Sequence, residues 1–183
     1  KDVGTETEPS STIPVMPCKN VTIERNIFDG FNSTSAGFPI VQSYGQSTSV
    51  NDYNENIIVR DNVFTNNWPS GAVRGANQAP NCIEMQYTKD IVIEGNTAKD
   101  ARRLAYMQDC IDMRIINNLA QRNNNLAMSL GRCKRVWVVN NSIVECTSGF
   151  YTWECTDIVV LNNILEDNYD DMYTTYGAIM AFK

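Results

Sequence analysis

Six copies of one short pattern run through this chain, and they constrain its fold more than any other feature. The pattern is an apolar residue, any residue, a second apolar residue, two further residues and then Asn. It is clearest at Val136-Trp137-Val138-Val139-Asn140-Asn141 and recurs as Val21 to Asn26, Ile57 to Asn62, Ile91 to Asn96, Met113 to Asn118 and Ile158 to Asn163. Successive Asn residues of the pattern are 36, 34, 22, 23 and 22 positions apart, so the unit is about 22 residues and two units are longer. A fixed period of this size means a stack of similar units, each burying its apolar side against the next, in place of one globular core.

Each unit holds two strand signals. One is the pattern itself, whose β-branched residues alternate with a period of two, as in Val136, Val138 and Ile158, Val160. The other precedes it: Ile13 to Cys18, Ile83 to Thr88, Ala105 to Cys110, Met128 to Cys133 and Phe150 to Cys155. Successive side chains of a strand point to opposite faces, so the first and third places of these segments face inward and the second and fourth face outward. The excess of the two long units falls in Phe31 to Tyr53, with a strand-like Phe38-Pro39-Ile40-Val41, and in Asn67 to Pro80. Both are expected to project as loops beside a binding face.

Short strands at this period, with no helix between them, fit a coil in which each turn lays its strands beneath those of the next. The apolar-x-apolar-x-x-Asn repeat resembles that of the right-handed parallel β-helix family, the pectate-lyase-like superfamily of carbohydrate-active enzymes and phage tailspikes. The resemblance covers about residues 13–183 and supplies the handedness. It implies an all-β solenoid of about six rungs and part of a seventh, with two loop insertions, behind a polar lead-in at residues 1–12. The terminal strand Tyr176 to Lys183 has no polar cap, so the domain is expected to be truncated at that end. The repeat Asn residues are expected at one corner in the left-handed conformation, with their amides forming a ladder along the stack. Asn67, Asn123, Cys146 and Asn168 form a second such column.

Composition removes several function classes. The net charge of −6 and pI near 4.6, without a basic run, disfavour nucleic acid and anionic membranes as partners. No apolar run approaches the roughly 20 residues that a membrane helix needs. The first residues lack the apolar core of a secretion signal, which suits a mature or excised segment. With no His, neither a Ser-His-Asp triad nor a His-based zinc site can be built from this segment. Of the six cysteines, Cys18, Cys110, Cys133 and Cys155 occupy one repeat position, which predicts a column of unpaired buried thiols and leaves the compartment unread.

The outward columns of the preceding strand carry the candidate site. Glu84, Tyr106, Ser129 and Tyr151 share the second place, Gln86, Gln108, Gly131 and Trp153 the fourth, and Tyr87, Asp109, Arg132 and Glu154 the turn that follows. Aromatic rings beside amides and carboxylates suit a sugar, whose C–H faces stack on rings while its hydroxyls take hydrogen bonds. Tyr106, Tyr151, Trp153, Gln86, Gln108 and Tyr87 are the candidate binding residues. Asp109 and Glu154, two rungs apart at about 9 to 10 Å, form a candidate acid and base pair for inverting hydrolysis, with Glu84 as an alternative partner. Arg132, or else Lys89 or Arg103, is the candidate base for a lyase. Arg132 also lies between the two carboxylates, where it could bridge both as an ion ladder.

No resident cofactor is expected. The acidic bend of Asp167, Asp170 and Asp171 offers oxygen ligands for calcium, but at a spacing that matches no EF-hand loop. Two functions stay open. One is a polysaccharide-cleaving enzyme, hydrolase or lyase, that binds a polysaccharide or oligosaccharide along the exposed sheet. The other is a non-catalytic tailspike or adhesin module acting as a rigid spacer, a homotrimer in the tailspike case. The compartment expected is extracellular, periplasmic or the virion surface.

Overall fold

The computed structural model describes residues 17–31, 39–47, 49–67, 80–168 and 170–175, the last of these as backbone only. The polar lead-in, the strand expected at Ile13, the second insertion and the terminal strand lie outside the described residues. In chain order the first strands are β1 (Lys19–Glu24), β2 (Ile27–Asp29), β3 (Val41–Tyr44), β4 (Asn54–Arg60) and β5 (Val63–Thr65). Then come β6 (Asn81–Gln86), β7 (Thr88–Glu94), β8 (Thr97–Lys99), β9 (Arg103–Gln108), β10 (Ile111–Ile116) and β11 (Leu119–Gln121). The remainder are β12 (Leu126–Gly131), β13 (Lys134–Val139), β14 (Ser142–Val144), β15 (Ser148–Trp153), β16 (Thr156–Leu161), β17 (Ile164–Glu166) and β18 (Asp170–Thr175).

These strands make three sheets, and every pairing is parallel. Sheet A stacks β1, β4, β7, β10, β13 and β16; sheet B stacks β2, β5, β8, β11, β14 and β17; sheet C stacks β3, β6, β9, β12, β15 and β18. Each turn of the chain visits A, B and C once, which is the parallel β-helix solenoid expected from the repeat, its right hand being that of the resemblance. Val41–Tyr44, read from sequence as part of a projecting loop, is instead the sheet C strand of its rung, and a 3₁₀ turn at Val50–Asp52 leads from it to β4.

The core is the set of inward columns. Ile83, Ala105, Met128 and Phe150 stack in one of them, and Met85, Met107, Leu130 and Thr152 in the next. All are at most 2% exposed, as the alternation requires. At the A to B corner the repeat Asn residues form a continuous ladder. The backbone N–H of Asn96 donates to Asn118 Oδ1 at 2.9 Å, that of Asn118 to Asn141 Oδ1 at 3.0 Å, and that of Asn141 to Asn163 Oδ1 at 2.8 Å. The side-chain amides of Asn96, Asn118 and Asn141 also donate along the stack and to backbone carbonyls, as Asn118 Nδ2 does to Asn141 Oδ1, Ile93 O and Ile116 O, all at 3.0 Å. These bonds satisfy polar groups that the corner buries.

The backbone strain of that corner falls one residue earlier than expected. Arg25, Asp61, Gly95, Asn117, Asn140 and Asn162 hold φ between 53° and 64°, and the ladder Asn residues do not. The reversal is made by a residue whose side chain leaves the stack, so the following Asn can send its amide into it. Left-handed backbone costs a non-glycine residue about 1–2 kcal/mol. Bonds between rungs, such as Asp61 N–H to Glu94 O at 2.9 Å and Asn117 N–H to Val139 O at 3.1 Å, offset it.

All six cysteines are unpaired thiols. Cys110, Cys133 and Cys155 stack at the C to A corner, with Cys133 N–H donating to Cys155 Sγ at 3.2 Å and the thiols of Cys110 and Cys155 reaching Met85 O and Leu130 O. Burial pushes the Cys133 thiol well up, and the hydrogen bond to Cys133 and then burial do the same for Cys155. Cys18, in the first described rung, departs from the expected column by being exposed. Iodoacetamide is therefore expected to alkylate Cys18 alone in the native protein and all six cysteines after unfolding, because the thiolate is the reactive form. Intact mass before and after denaturant checks this; native modification of Cys133 would mean that the column opens.

Candidate functional site on sheet C

The register of sheet C brings the outward residues together as the repeat predicts. Glu84 lies opposite Tyr106, which lies opposite Ser129 and then Tyr151. One pleat along, Tyr44, Gln86, Gln108, Gly131 and Trp153 form the neighbouring column. Gly131 is what lets these columns merge. A Cβ built on it would lie 1.8 Å from Trp153 Cζ2, so the indole lies across the bare backbone of the rung below. There it stacks with Tyr151 at 5.4 Å and 29° and meets the ring of Tyr106 at 6.3 Å. The result is one surface of three half-buried rings, spanning two rung spacings or roughly 10 Å.

Polar groups rim it. The Arg103 guanidinium sits 5.1 Å from the centroid of the Tyr106 ring and donates to Asn125 Oδ1 at 3.0 Å. Burial pulls Arg103 down to about 10. Arg103, a candidate lyase base from the sequence, thus stands against the ring of Tyr106 on this face. Tyr106 Oη donates to Gln108 Oε1 at 2.9 Å, and Gln108 Nε2 donates to Asp109 Oδ2 at 3.3 Å. Glu84 accepts from Tyr44 Oη and from Asn81 Nδ2, the latter at 2.7 Å. Burial and then the bond to Glu84 push the Tyr44 phenol up.

The carboxylates are arranged less simply than their column suggests. Tyr87, Asp109, Arg132 and Glu154 all occupy left-handed corners, with φ between 48° and 53°. Arg132 grips Asp109 with two parallel hydrogen bonds of 2.7 Å each, and that contact raises the pKa of Arg132. Glu154 lies within the field of Arg132 without an ion pair to it, so the bridge over both carboxylates forms on one side only. Glu84 belongs to another column, held by Tyr44 and Asn81. Tyr87 packs edge-on against Tyr53 at 5.8 Å and stands apart from the three rings. Lys89 lies on sheet A, 3.5 Å from Glu55, off this face altogether. The sequence reading missed Tyr44 and Asn81. Tyr44 occupies the fourth place of its strand, as Gln86 and Gln108 do, but the first insertion breaks the spacing that would have shown it.

A family model described as periplasmic copper-binding protein, NosD, matches residues 4–180. The chain belongs to the NosD family. No curated protein and no solved structure matches it. Membership agrees with the parallel β-helix read from the repeat and, of the three compartments expected, with the periplasm. It does not extend to the pectate-lyase-like superfamily in particular.

Membership also corrects the expectation of no cofactor, since copper stands in the family's description. The described residues of this NosD-family chain do not fit a copper centre. Copper favours imidazole or soft sulfur ligands, yet the chain has no His, and no three His, Cys, Asp or Glu side chains gather among the described residues. Cys133 and Cys155 are held as neutral buried thiols. Of the acidic bend considered for calcium, Asp167 sits in a left-handed turn and Asp170 opens β18, and the side chains of Asp170 and Asp171 lie outside the described residues.

Proposed function

We propose that this is a periplasmic β-helix protein that binds an oligosaccharide along sheet C, holding it without cleaving it. The surface of Tyr106, Tyr151 and Trp153 carries the proposal: three adjoining rings, rimmed by Gln108, Glu84 and Arg103, are chemistry that sugar faces and hydroxyls require. Its length suits about two sugar units. Binding is favoured over cleavage because Arg132 engages both oxygens of Asp109, which leaves Glu154 alone of the pair free for proton transfer, where inverting hydrolysis needs two such carboxyl groups. The periplasmic setting comes from the family, and no step of this reading passes through copper.

Calorimetric titration with cellotetraose and with tetragalacturonate tests it, with new reducing ends and unsaturated products assayed in parallel. One of these sugars is expected to bind, and Trp153→Ala or Tyr151→Ala to weaken it about tenfold, the equivalent of roughly 1.4 kcal/mol. No binding by either sugar, or binding indifferent to both substitutions, overturns the proposal. Sugar cleavage that Asp109→Asn or Glu154→Gln abolishes would replace it with the hydrolase reading.

A further inference from the structure

Sheet A carries a second concavity, on a different face of the solenoid from the ring surface. It has a volume of about 300 Å³ and is lined by Asn56, Asp90, Val92, Asp112, Arg114 and Trp137, with Ile91 beneath. Two outward columns form it. Val92, Arg114 and Trp137 stack on adjacent rungs of β7, β10 and β13. Asn56, Asp90 and Asp112 are the left-handed residues near the start of β4, β7 and β10, with φ of 54°, 55° and 56°. The concavity exists because those residues bulge outward beside the flat column.

The charges in it are not matched to one another. Asp112 is taken up by Arg135 through two bonds of 2.6 and 2.7 Å, and Asn56 donates to Asn20 Oδ1 at 2.8 Å. Asp90 and Arg114 are both exposed, and neither side chain has a hydrogen bond or ion pair among the described residues. An anion and a cation thus share one small groove without reaching each other. Trp137 beside them is 39% exposed, and Val92 provides an apolar floor.

We propose that this groove is a binding site for a small zwitterion, the simplest being a free α-amino acid with an apolar side chain. Its ammonium group meets Asp90, its carboxylate meets Arg114, and its side chain lies on Val92 and Trp137. A neutral hydroxyl competes poorly with water for an exposed charge, whereas a zwitterion that spans both charges gains two charge-assisted hydrogen bonds at once. The groove is also of the size that small ligands occupy, at the lower end of the usual range of roughly 300–1,000 Å³.

Amide chemical shifts of the intact chain, followed during titration with L-leucine, N-acetyl-leucine and leucinamide, test the site. Leucine is expected to bind with a dissociation constant of about 1 mM, and each blocked compound about tenfold more weakly. Asp90→Asn should weaken leucine and leucinamide but leave N-acetyl-leucine unchanged, because that compound has no ammonium to lose. Arg114→Gln should show the converse pattern, sparing leucinamide. Asn accepts the left-handed backbone at position 90, so a matching melting curve separates lost binding from lost fold. Leucine that causes no shifts at Val92, Arg114 and Trp137, or shifts indifferent to both substitutions, overturns the proposal, as does a neutral sugar binding there in its place. Trp153→Ala leaves this site intact, so its outcome is independent of the saccharide reading.

Discussion

Asn118→Ala is expected to destabilise the chain by about 3–5 kcal/mol, among the largest losses available to one substitution outside the apolar core. The Asn118 amide is buried in mid-ladder. Its Nδ2 serves Ile93 O, Ile116 O and Asn141 Oδ1, and its Oδ1 accepts from Asn96 N–H and Nδ2. Alanine removes all of these and leaves carbonyls and an amide in a space that water does not reach, each unsatisfied group costing about 1–3 kcal/mol. Asn26 is the internal control. It begins the described ladder on an exposed corner, so Asn26→Ala should cost much less. Urea unfolding of the two variants beside wild type measures both. Equal losses, or a loss below about 1 kcal/mol for Asn118→Ala, would show that the ladder does not hold the rungs together.

Gly131→Ala is expected to break the ring surface while sparing the fold. The added methyl would fall 1.8 Å from Trp153 Cζ2 and 2.2 Å from Cε2, distances that no packed pair of carbons tolerates. The atoms in the way belong to a half-exposed side chain at the end of β15, so the indole can swing out while the backbone stays. Its contacts with Tyr106 and Tyr151 are then lost together. Sugar affinity should fall about tenfold, to match Trp153→Ala, while the melting temperature changes by only a few degrees. Indole N–H and ring chemical shifts would report the displaced Trp153 directly. Gly131→Ala that binds sugar as wild type does would mean that the merged surface is not what the sugar meets.

The columns were legible in the sequence because a parallel stack converts spacing into position. Once Asn96, Asn118, Asn141 and Asn163 align, Tyr106, Ser129 and Tyr151 must share a column, and the structure pairs them so. What one residue does to the next rung was not legible. That Trp153 lies across Gly131 depends on the absence of a side chain 22 positions earlier, and that Arg132 closes on Asp109 alone depends on rotamers the pattern does not specify. The left-handed corner was misplaced by one residue because its occupants, Arg25, Asp61 and Asn117 among them, share only an outward side chain. The groove on sheet A escaped notice for a related reason, since bulged residues interrupt the strict alternation by which faces are assigned. Copper could not have been read at all from a chain without His and with its stacked thiols buried.

The ladder makes the molecule a ruler with fixed divisions. Each Asn addresses the rungs above and below through the same few atoms, so the joint between Asn96 and Asn118 is interchangeable with that between Asn118 and Asn141. Duplicating one 22-residue unit lengthens every face by a single step of about 4.8 Å and leaves each existing joint as it was. The reach of whatever lies along sheet C is therefore set by the number of rungs, and evolution can change it by copying without redesigning a contact.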